Sequence, residues 1–561
     1  MSNLNRLVVI ILLLLISLGV AGRFIDLNWD QGHYLHPDER LYINTSIAWP
    51  KSLAEFFSTD SPLNPKMFYY GSLPLYLYTA FYRLNLRLNP TGTDLLTISR
   101  LVSALFSVLT IFLVYLLSKK ILSKRWALLS AMLFSLSVGS IQAAHFNTTE
   151  TILTFFIVFL TILSFQFFEI IKKSNGSQEL IGQSLILGSV LGAAAASKIT
   201  AFSFVLSPLS ILLVCFNKLK WKVWLLIGLL FAASTAAFFF FGSPYNLIDF
   251  ETFRKTQDYI QSVVVGTIKP PFTIIYEGTI PYIYQLTRIF PWIFSPLGTL
   301  AAVFGFFLLW VSFIKNRRPE YLVILLWPTV YFLVSGFWFN KFTRYYVPLL
   351  PFLAISSTFF FYWLSQKDKL KQISQLLFCS IILLQLIYVL SFVSQIYLKT
   401  NTRVAASEWI YQNIKPQSTI ATEHWDDRLP LLLPDYDPSQ FQFLELTVYD
   451  SDTPKKIEEL VKKISQSDYI VLSSRRVFYS ILQNEKAYPL TSSFYQNLFK
   501  ENLGFVLIHE ERRSLRPLVF ATDDDSADES FQSYDHPPVF IFQNKARLNA
   551  EALLKLIQTA N

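Results

Sequence analysis

Two adjacent carboxylates near the N-terminus, Asp38 and Glu39, are the residues of this chain best placed for acid–base chemistry. They follow His36 and Pro37, and the proline favours extended or turn geometry in its neighbours. Adjacent side chains cannot easily point the same way, so one carboxylate could act as a base while the other holds a hydroxyl group or a cation. The alternative is structural: Pro37 begins a helix, and both acids suit the positive end of its dipole.

Other ionisable residues lie at the ends of apolar segments, where charged groups are costly and usually functional. His145 and Glu150 flank a short turn, where His145, Asn147, Thr148 and Thr149 could alternatively cap helix ends. Lys198 follows the small residues 192–196, which permit close helix packing, so its ammonium group would need an anionic partner unless it reaches the membrane surface. Arg344 has a guanidinium group that can bind a phosphate with two hydrogen bonds.

The elements that position these residues are predicted to be membrane helices. The chain has 561 residues, of which 52% are hydrophobic, and a mean hydropathy of +0.39. The net charge of +9 does not indicate nucleic-acid binding, because the lysines and arginines cluster at the ends of apolar runs, as the positive-inside rule expects. The two cysteines, Cys215 and Cys379, lie in apolar segments and give no disulfide framework.

We predict a polytopic α-helical membrane protein with about eleven spans. The spans are 7–22, 99–117, 126–145, 151–171, 180–196, 202–216, 224–241, 289–314, 321–336, 345–364 and 373–392. The first also resembles a signal peptide, but we favour a retained anchor because many spans follow. The basic clusters place the loops 23–97 and 242–287, Asp38, His145, Lys198 and Arg344 on the extracytoplasmic side of the membrane domain 1–394.

Residues 395–561 have the composition of a soluble α/β domain, which we also place outside the cell. Their patterns predict helices at 403–414 and 453–464 and strands at 418–422, 469–472, 505–509 and 539–542. The acidic run 523–525 is predicted to be a solvated loop. This domain contains no catalytic motif that we recognise, which favours a role in packing over the external loops or binding a partner.

Several short motifs, in this order, resemble those of bacterial GT-C glycosyltransferases. They are the acid pair, the segment from Asn64 to Tyr76 with Tyr70-Gly71-Ser72-Leu73-Pro74, the stretch 145–150, Ala196-Ser197-Lys198, and Arg344-Tyr345-Tyr346-Val347-Pro348. The chain is most similar to the family 39 protein mannosyltransferase-like enzymes, with the aminoarabinose transferases as more distant relatives. The resemblance extends through the membrane half to Pro351.

The resemblance implies an enzyme of the plasma membrane that transfers a sugar, with inversion, from a polyprenyl-phosphate carrier to a protein, lipid or glycan acceptor on the external face. Asp38 would be the general base, and Glu39 would position the acceptor or the sugar. The residues implied in substrate binding are His36, Tyr70, His145, Glu150, Lys198, Arg344 and Tyr345. No cofactor is certain. A divalent cation, if the enzyme uses one, would bind Asp38 and Glu150, although many relatives carry Asp where this chain has Glu150.

Two other classes of function compete with a transferase. A transporter or lipid flippase predicts inverted repeats and spans broken at the bilayer midplane, whereas here the polar groups collect at one surface. An inactive scaffold or sensor leaves the cations at the outer ends of spans unexplained.

Overall fold

The computed structural model describes residues 3–45, 47–89, 93–173, 177–513, 515 and 524–558. These residues form two compact units. The first comprises Met1–Leu27, Pro37–Gln261 and Pro281–Leu390, and the second comprises Asn28–His36, Ser262–Ile280 and Ser391–Asn561. Each unit is built from segments that are distant in sequence.

The first part of the chain is helical because it consists largely of long apolar runs, and in a bilayer a helix satisfies its backbone hydrogen-bonding groups internally. Its helices are α1 Asn3–Ala21, α2 Pro37–Ile43, α3 Leu53–Phe56, α4 Ser72–Leu88, α5 Leu95–Ser118, α6 Lys124–Ser135, α7 Val138–Ala144, α8 Glu150–Lys173, α9 Ser177–Ser197, α10 Leu206–Cys215, α11 Trp221–Gly242, α12 Tyr245–Ile248, α13 Phe250–Val265, α14 Phe290–Ile293, α15 Pro296–Asn316, α16 Pro319–Ser335, α17 Leu350–Ser365 and α18 Lys371–Phe392. Short 3-10 segments, Ile199–Val205 and Thr343–Leu349, precede α10 and α17.

The predicted spans all coincide with helices. Within the described residues, eight helices are long and apolar enough to cross a membrane: Leu95–Ser118, Glu150–Lys173, Gln178–Ser197, Ile199–Lys218, Trp221–Gly242, Pro296–Asn316, Thr343–Ser365 and Asp368–Asn413. The first and ninth predicted spans are shorter apolar helices, Arg6–Ala21 and Pro319–Ser335. The chain is therefore a multi-pass membrane protein, as predicted.

The third predicted span, 126–145, is not one continuous helix. It is divided into α6 and α7, which are bent by 58° relative to each other. The fully buried guanidinium group of Arg23 stabilises the break by donating to the carbonyl oxygens of Ser135 at 2.7 Å and Phe134 at 3.4 Å. It also donates to the hydroxyl group of Ser140 at 2.5 Å. A polar side chain from a distant segment therefore supplies hydrogen-bond donors to carbonyl groups at the bend.

The eighth predicted span also begins later than expected. Residue 289 lies in a π-helical turn, and the long helix α15 begins only at Pro296. The side chain of Ser295 caps α15 by accepting a hydrogen bond from the backbone N–H of Gly298. A serine cap followed by proline at the first helical position is a strong helix start.

The C-terminal part of the chain forms a five-stranded sheet with helices, as predicted. The strands are β1 Thr419–Glu423, β2 Gln442–Leu446, β3 Tyr469–Leu472, β4 Phe505–Glu511 and β5 Val539–Asn544, in the order β2-β1-β3-β5-β4. β1 pairs in parallel with β2 and β3, whereas β5 pairs antiparallel with β3 and β4. The helices are α19 Thr402–Asn413, α20 Pro454–Gln466, α21 Arg476–Leu482, α22 Pro489–Phe499, α23 Glu529–Gln532 and α24 Ala550–Gln558.

Two hydrophobic clusters lie on opposite faces of this sheet. On β3, Ile470 belongs to one cluster and Val471 to the other, and on β5 the same holds for Phe542 and Ile541. Consecutive residues of a strand point to opposite faces of the sheet. Because consecutive residues of β3 and β5 are both buried, the sheet is covered on both sides. The four predicted strands match the observed ones to within two residues, and β2 was not predicted.

The prediction of a solvated acidic loop at 523–525 is wrong for its central residue. Asp524 is 1% exposed, and its carboxylate lies 3.2 Å from Nε2 of the buried His536, whose Nδ1 lies 2.5 Å from Asp535. Burial lowers the pKa of His536, but the two aspartates outweigh this effect and raise it to about 9. Asp525 pairs with arginines, and Asp523 lies outside the described residues. Charge density alone could not reveal these partners.

Candidate active site

The two carboxylates of the acid pair lie in the first turn of helix α2 and have different surroundings. Pro37 is its first residue, so Asp38 and Glu39 lie in its first turn. Glu39 is fully buried, whereas the side chain of Asp38 is 18% exposed. The structural reading of the motif is therefore correct for the helix start, yet the two acids have different surroundings.

Glu39 is held by Arg100, a residue of α5. Arg100 donates from Nε and Nη2 to the two carboxylate oxygens of Glu39, at 3.0 and 2.6 Å, and neither side chain is exposed. The backbone N–H of Asn147 donates to the same carboxylate at 2.6 Å. These contacts connect α2, α5 and the turn before α8. Sequence reasoning missed Arg100, although one arginine inside an apolar helix is a signal that it has a buried partner.

Asp38 forms an ion pair with Arg344, which lies in the 3-10 segment Thr343–Leu349. The Arg344 side chain is 23% exposed, and its guanidinium carbon lies 5.0 Å from the centre of the Phe342 ring. Its buried Nε has no hydrogen-bond partner among the described residues. Arg344 therefore holds Asp38 and retains a donor for a further oxygen atom.

Lys198 forms a second ion pair, with Glu150, the first residue of α8. The Lys198 ammonium lies 3.3 Å from Oε1 of Glu150, whose side chain is 2% exposed. The other carboxylate oxygen, Oε2, is buried without a hydrogen-bond partner in the described part of the chain. The prediction that Lys198 needs an anionic partner is confirmed.

The aromatic ring of Tyr345 lies near both cations. Its centre is 5.5 Å from the ammonium of Lys198 and 5.9 Å from the guanidinium carbon of Arg344. The ring of Tyr70 is 5.4 Å from the same ammonium, and it stacks on Tyr42. The electron-rich faces of aromatic rings attract cations without neutralising them. The structure thus brings together Asp38, Arg344, Glu150, Lys198, Tyr70 and Tyr345, which the sequence distributes over 300 residues.

Close backbone packing positions Lys198 against the first loop. The N–H of Gly71 donates to the carbonyl oxygen of Ser197 at 3.0 Å, and a side chain at Gly71 would overlap the carbonyl oxygen of Ala196. On α9, a side chain at Gly192 would likewise overlap the carbonyl oxygen of Thr235. Small residues at these positions allow the backbones to approach closely.

Two of the predicted substrate-binding residues have other partners. His145 is fully buried, and its Nδ1 and Nε2 each lie 2.8 Å from a carbonyl oxygen, of Ile141 and Ile25 respectively. Both ring nitrogens are therefore engaged by the backbone, in agreement with the alternative reading of His145 as a helix cap. His36 is 1% exposed and belongs to the second compact unit, where it stacks on Tyr534.

The described residues contain no group of three or more His, Cys, Asp or Glu side chains that could hold a metal ion. Asp38 and Glu150, the suggested ligands, are each paired with a cationic side chain. This donor set does not fit a resident divalent cation.

An apolar cavity of about 460 Å³ lies in the first unit, within the range typical of small-molecule sites. The first loop, α4 and the end of α11 line it, chiefly with Trp49, Phe56, Phe57 and Phe241. Arg83 is the one charged residue among those that line it. Ile47, another lining residue, also packs against the cluster that contains Tyr70.

Comparisons with known proteins agree with the resemblance noted in the sequence. Residues 79–242 match the model of the dolichyl-phosphate-mannose-protein mannosyltransferase family. No curated protein matches the chain significantly. The structure is similar to the Archaeoglobus fulgidus oligosaccharyltransferase AglB in complex with an inhibitory peptide and a dolichol-phosphate, with 13% identity, a TM-score of 0.52, and coverage of 86% of this chain and 72% of AglB.

The apo form of the same oligosaccharyltransferase gives a TM-score of 0.50, also at 13% identity and with the same coverage. ArnT from Cupriavidus metallidurans bound to undecaprenyl phosphate covers 96% of this chain and 98% of its own, with 14% identity and a TM-score of 0.42. The predicted resemblance to GT-C glycosyltransferases is confirmed by the family match and by the fold.

Proposed function

We propose, with the GT-C resemblance as the premise, that this protein transfers a sugar from a polyprenyl-phosphate carrier to an acceptor on the extracytoplasmic face of the membrane. The observation that carries the proposal is the pair of carboxylate–cation contacts, Asp38 with Arg344 and Glu150 with Lys198, around Tyr345. The family match and AglB, whose complex contains a dolichol-phosphate, support a lipid-linked donor.

In the proposed reaction, Asp38 accepts the proton of an acceptor hydroxyl group while the acceptor oxygen attacks the anomeric carbon of the donor sugar. The bond between that carbon and the carrier phosphate breaks, and its electron pair leaves with the phosphate. Attack opposite to the departing phosphate inverts the anomeric centre. Arg344 and Lys198 stabilise the charge that develops on the phosphate oxygens.

Glu39 has a positioning role in this proposal. Its carboxylate is occupied by Arg100 and by the N–H of Asn147, so it fixes the first turn of α2 and thereby the direction of Asp38. Contacts that orient a reacting group contribute to rate through proximity.

The apolar cavity offers a place for the isoprenoid chain of the carrier. Its aromatic lining suits a hydrocarbon, and Ile47 separates it from the Tyr70 cluster beside Lys198. Filling it with Ala80→Trp is expected to raise KM for long-chain carriers more than for short-chain carriers. Equal changes for both carriers would assign the chain to another surface.

The test of the catalytic base is Asp38→Asn, assayed with a panel of polyprenyl-phosphate sugars by release of the carrier phosphate. The amide keeps the shape of the side chain but cannot accept a proton, so the rate should fall by about a hundredfold to ten-thousandfold. Asp60→Asn, in the same loop and 90% exposed, is the matched control and should keep its activity. Near-normal turnover of Asp38→Asn would move the base role to Glu150.

The proposal includes a membrane catalytic domain, 1–394, and an extracytoplasmic domain, 395–561. In a variant without Cys215 and Cys379, a cysteine in place of the exposed Glu485 should react with a reagent that cannot cross the membrane. A cysteine in place of the exposed Lys173 should react only after the membrane is permeabilised. The opposite labelling pattern would contradict the topology.

A further inference from the structure

The segment Asn28–His36, which precedes α2, has a compact and buried conformation. The carboxylate of Asp30, fully buried, accepts hydrogen bonds from the backbone N–H groups of Leu35 at 3.1 Å and Gly32 at 3.4 Å. Trp29 and Leu35 are also buried. The segment groups with the C-terminal domain in the second compact unit, although over 350 residues separate them in sequence.

A stacked pair of rings joins this segment to the C-terminal domain. The rings of His36 and Tyr534 have centres 3.9 Å apart and an interplanar angle of 28°. The guanidinium carbon of Arg476 lies 5.3 Å from the centre of the Tyr534 ring, and its Nε donates to Glu529 at 3.0 Å. Tyr534 is 8% exposed and His36 is 1% exposed, so the stack is buried, and the partly buried Arg476, paired with Glu529, contacts its Tyr534 ring.

His36 is two residues from the proposed base. Consecutive Cα atoms are about 3.8 Å apart, and Pro37 has a fixed φ, so little freedom separates His36 from Asp38. We infer that Tyr534 of the C-terminal domain is a positioning residue for Asp38, acting through the ring of His36. This inference rests on the proposed function and gives the C-terminal domain a role in the rate of transfer.

His36 has a different role in this arrangement. The family resemblance implies that it binds substrate, whereas here the ring serves as a stacking surface. A substrate ligand needs the ring nitrogens, but a stacking partner needs only the aromatic face. His36→Phe therefore distinguishes the two roles, because it keeps the face and removes the nitrogens.

The experiment measures kcat and donor KM of the full chain with Tyr534→Ala, Tyr534→Phe, His36→Phe and the control Tyr436→Ala. Tyr436 stacks on Tyr411 in the same domain, with centres 4.7 Å apart. A displacement of about 1 Å at the reacting groups costs up to about a hundredfold in rate, so Tyr534→Ala should lower kcat by about tenfold to a hundredfold and leave KM unchanged. Tyr534→Phe and His36→Phe should retain most of kcat, and so should Tyr436→Ala.

The thermal unfolding midpoint of each variant is measured alongside to identify loss of folding. If Tyr534→Ala does not fold, Tyr534→Leu, which keeps bulk without an aromatic face, replaces it with the same expected loss of kcat. Unchanged kcat in the folded variant, or an equal loss in Tyr436→Ala, would overturn the inference, as would loss of activity in His36→Phe. Failure of the proposed function looks different, because the unmodified protein would then transfer no sugar.

Discussion

Neutralising Glu150 should tighten the binding of a polyprenyl phosphate. In the structure the Lys198 ammonium lies 3.3 Å from Glu150, so a phosphate must compete with this carboxylate for the same cation. The substitution Glu150→Gln keeps the size of the side chain and removes its charge. Lys198 then keeps the faces of Tyr70 and Tyr345 as neighbours and is available to an incoming anion.

The size of the effect follows from the geometry of the pair. At 3.3 Å and an effective dielectric constant of about 20, two unit charges attract by about 5 kcal/mol, part of which is offset by the desolvation of the buried carboxylate. Hydrogen bonds to charged groups contribute about 1.5 to 3 kcal/mol net. Releasing Lys198 should therefore lower the Kd of the phosphate by roughly tenfold to a hundredfold.

The assay is the equilibrium affinity for polyprenyl phosphate in nanodiscs, measured for Glu150→Gln, Lys198→Ala and the double variant. The gain in affinity from Glu150→Gln should disappear when Lys198 is also replaced by alanine, because the two residues act on one ligand. Glu320→Gln is the matched control, since Glu320 pairs with Lys172 at the same 3.3 Å distance on an exposed surface. Weaker binding by Glu150→Gln, or an equal gain in affinity in the Lys198→Ala background, would show that Glu150 and the phosphate do not compete for Lys198.

Three further predictions concern stability and packing. Glu39→Gln leaves Arg100 buried without an anionic partner, so it should lower the free energy of unfolding by about 3 to 5 kcal/mol, measured as a fall in the unfolding midpoint in detergent. Gly71→Ala should separate the first loop from Ala196 and weaken polyprenyl-phosphate binding, whereas Gly182→Ala, which meets no neighbour, should not. The pKa of His536 is raised from 6.5 to about 9, so its contribution of about 3 kcal/mol is complete below pH 6.5 and lost by pH 9. Unfolding midpoints of wild type and His536→Gln should therefore converge as the pH rises through this range.

The membrane architecture could be predicted from the sequence because long apolar runs have few stable alternatives in a bilayer. The break between α6 and α7 could not, since it depends on Arg23, which is more than 100 residues away in sequence. The strand β2 was missed because its sequence, Gln-Phe-Leu-Glu-Leu, lacks a regular alternation and its burial is uneven.

The candidate site was likewise predictable only in part. Lys198 and Arg344 were found because cations at the outer ends of spans conflict with the expected charge distribution. Which carboxylate each one meets depends on tertiary packing, and the sequence interpretation named neither pairing. Arg100 was missed although it lies inside the predicted span 99–117, and its partner Glu39 is 61 residues away in sequence.

The contact between Arg23 and the broken helix also sets an order of events during biosynthesis. Arg23 and Ser135 are 112 residues apart, and ribosomes add about 5 to 20 residues per second. The arginine is thus made roughly 6 to 22 seconds before the carbonyl groups that receive it. Throughout that interval its guanidinium group needs water, lipid head groups or the insertion machinery as a temporary partner. The final position of α1 in the membrane is consequently fixed only after α6 and α7 have been synthesised.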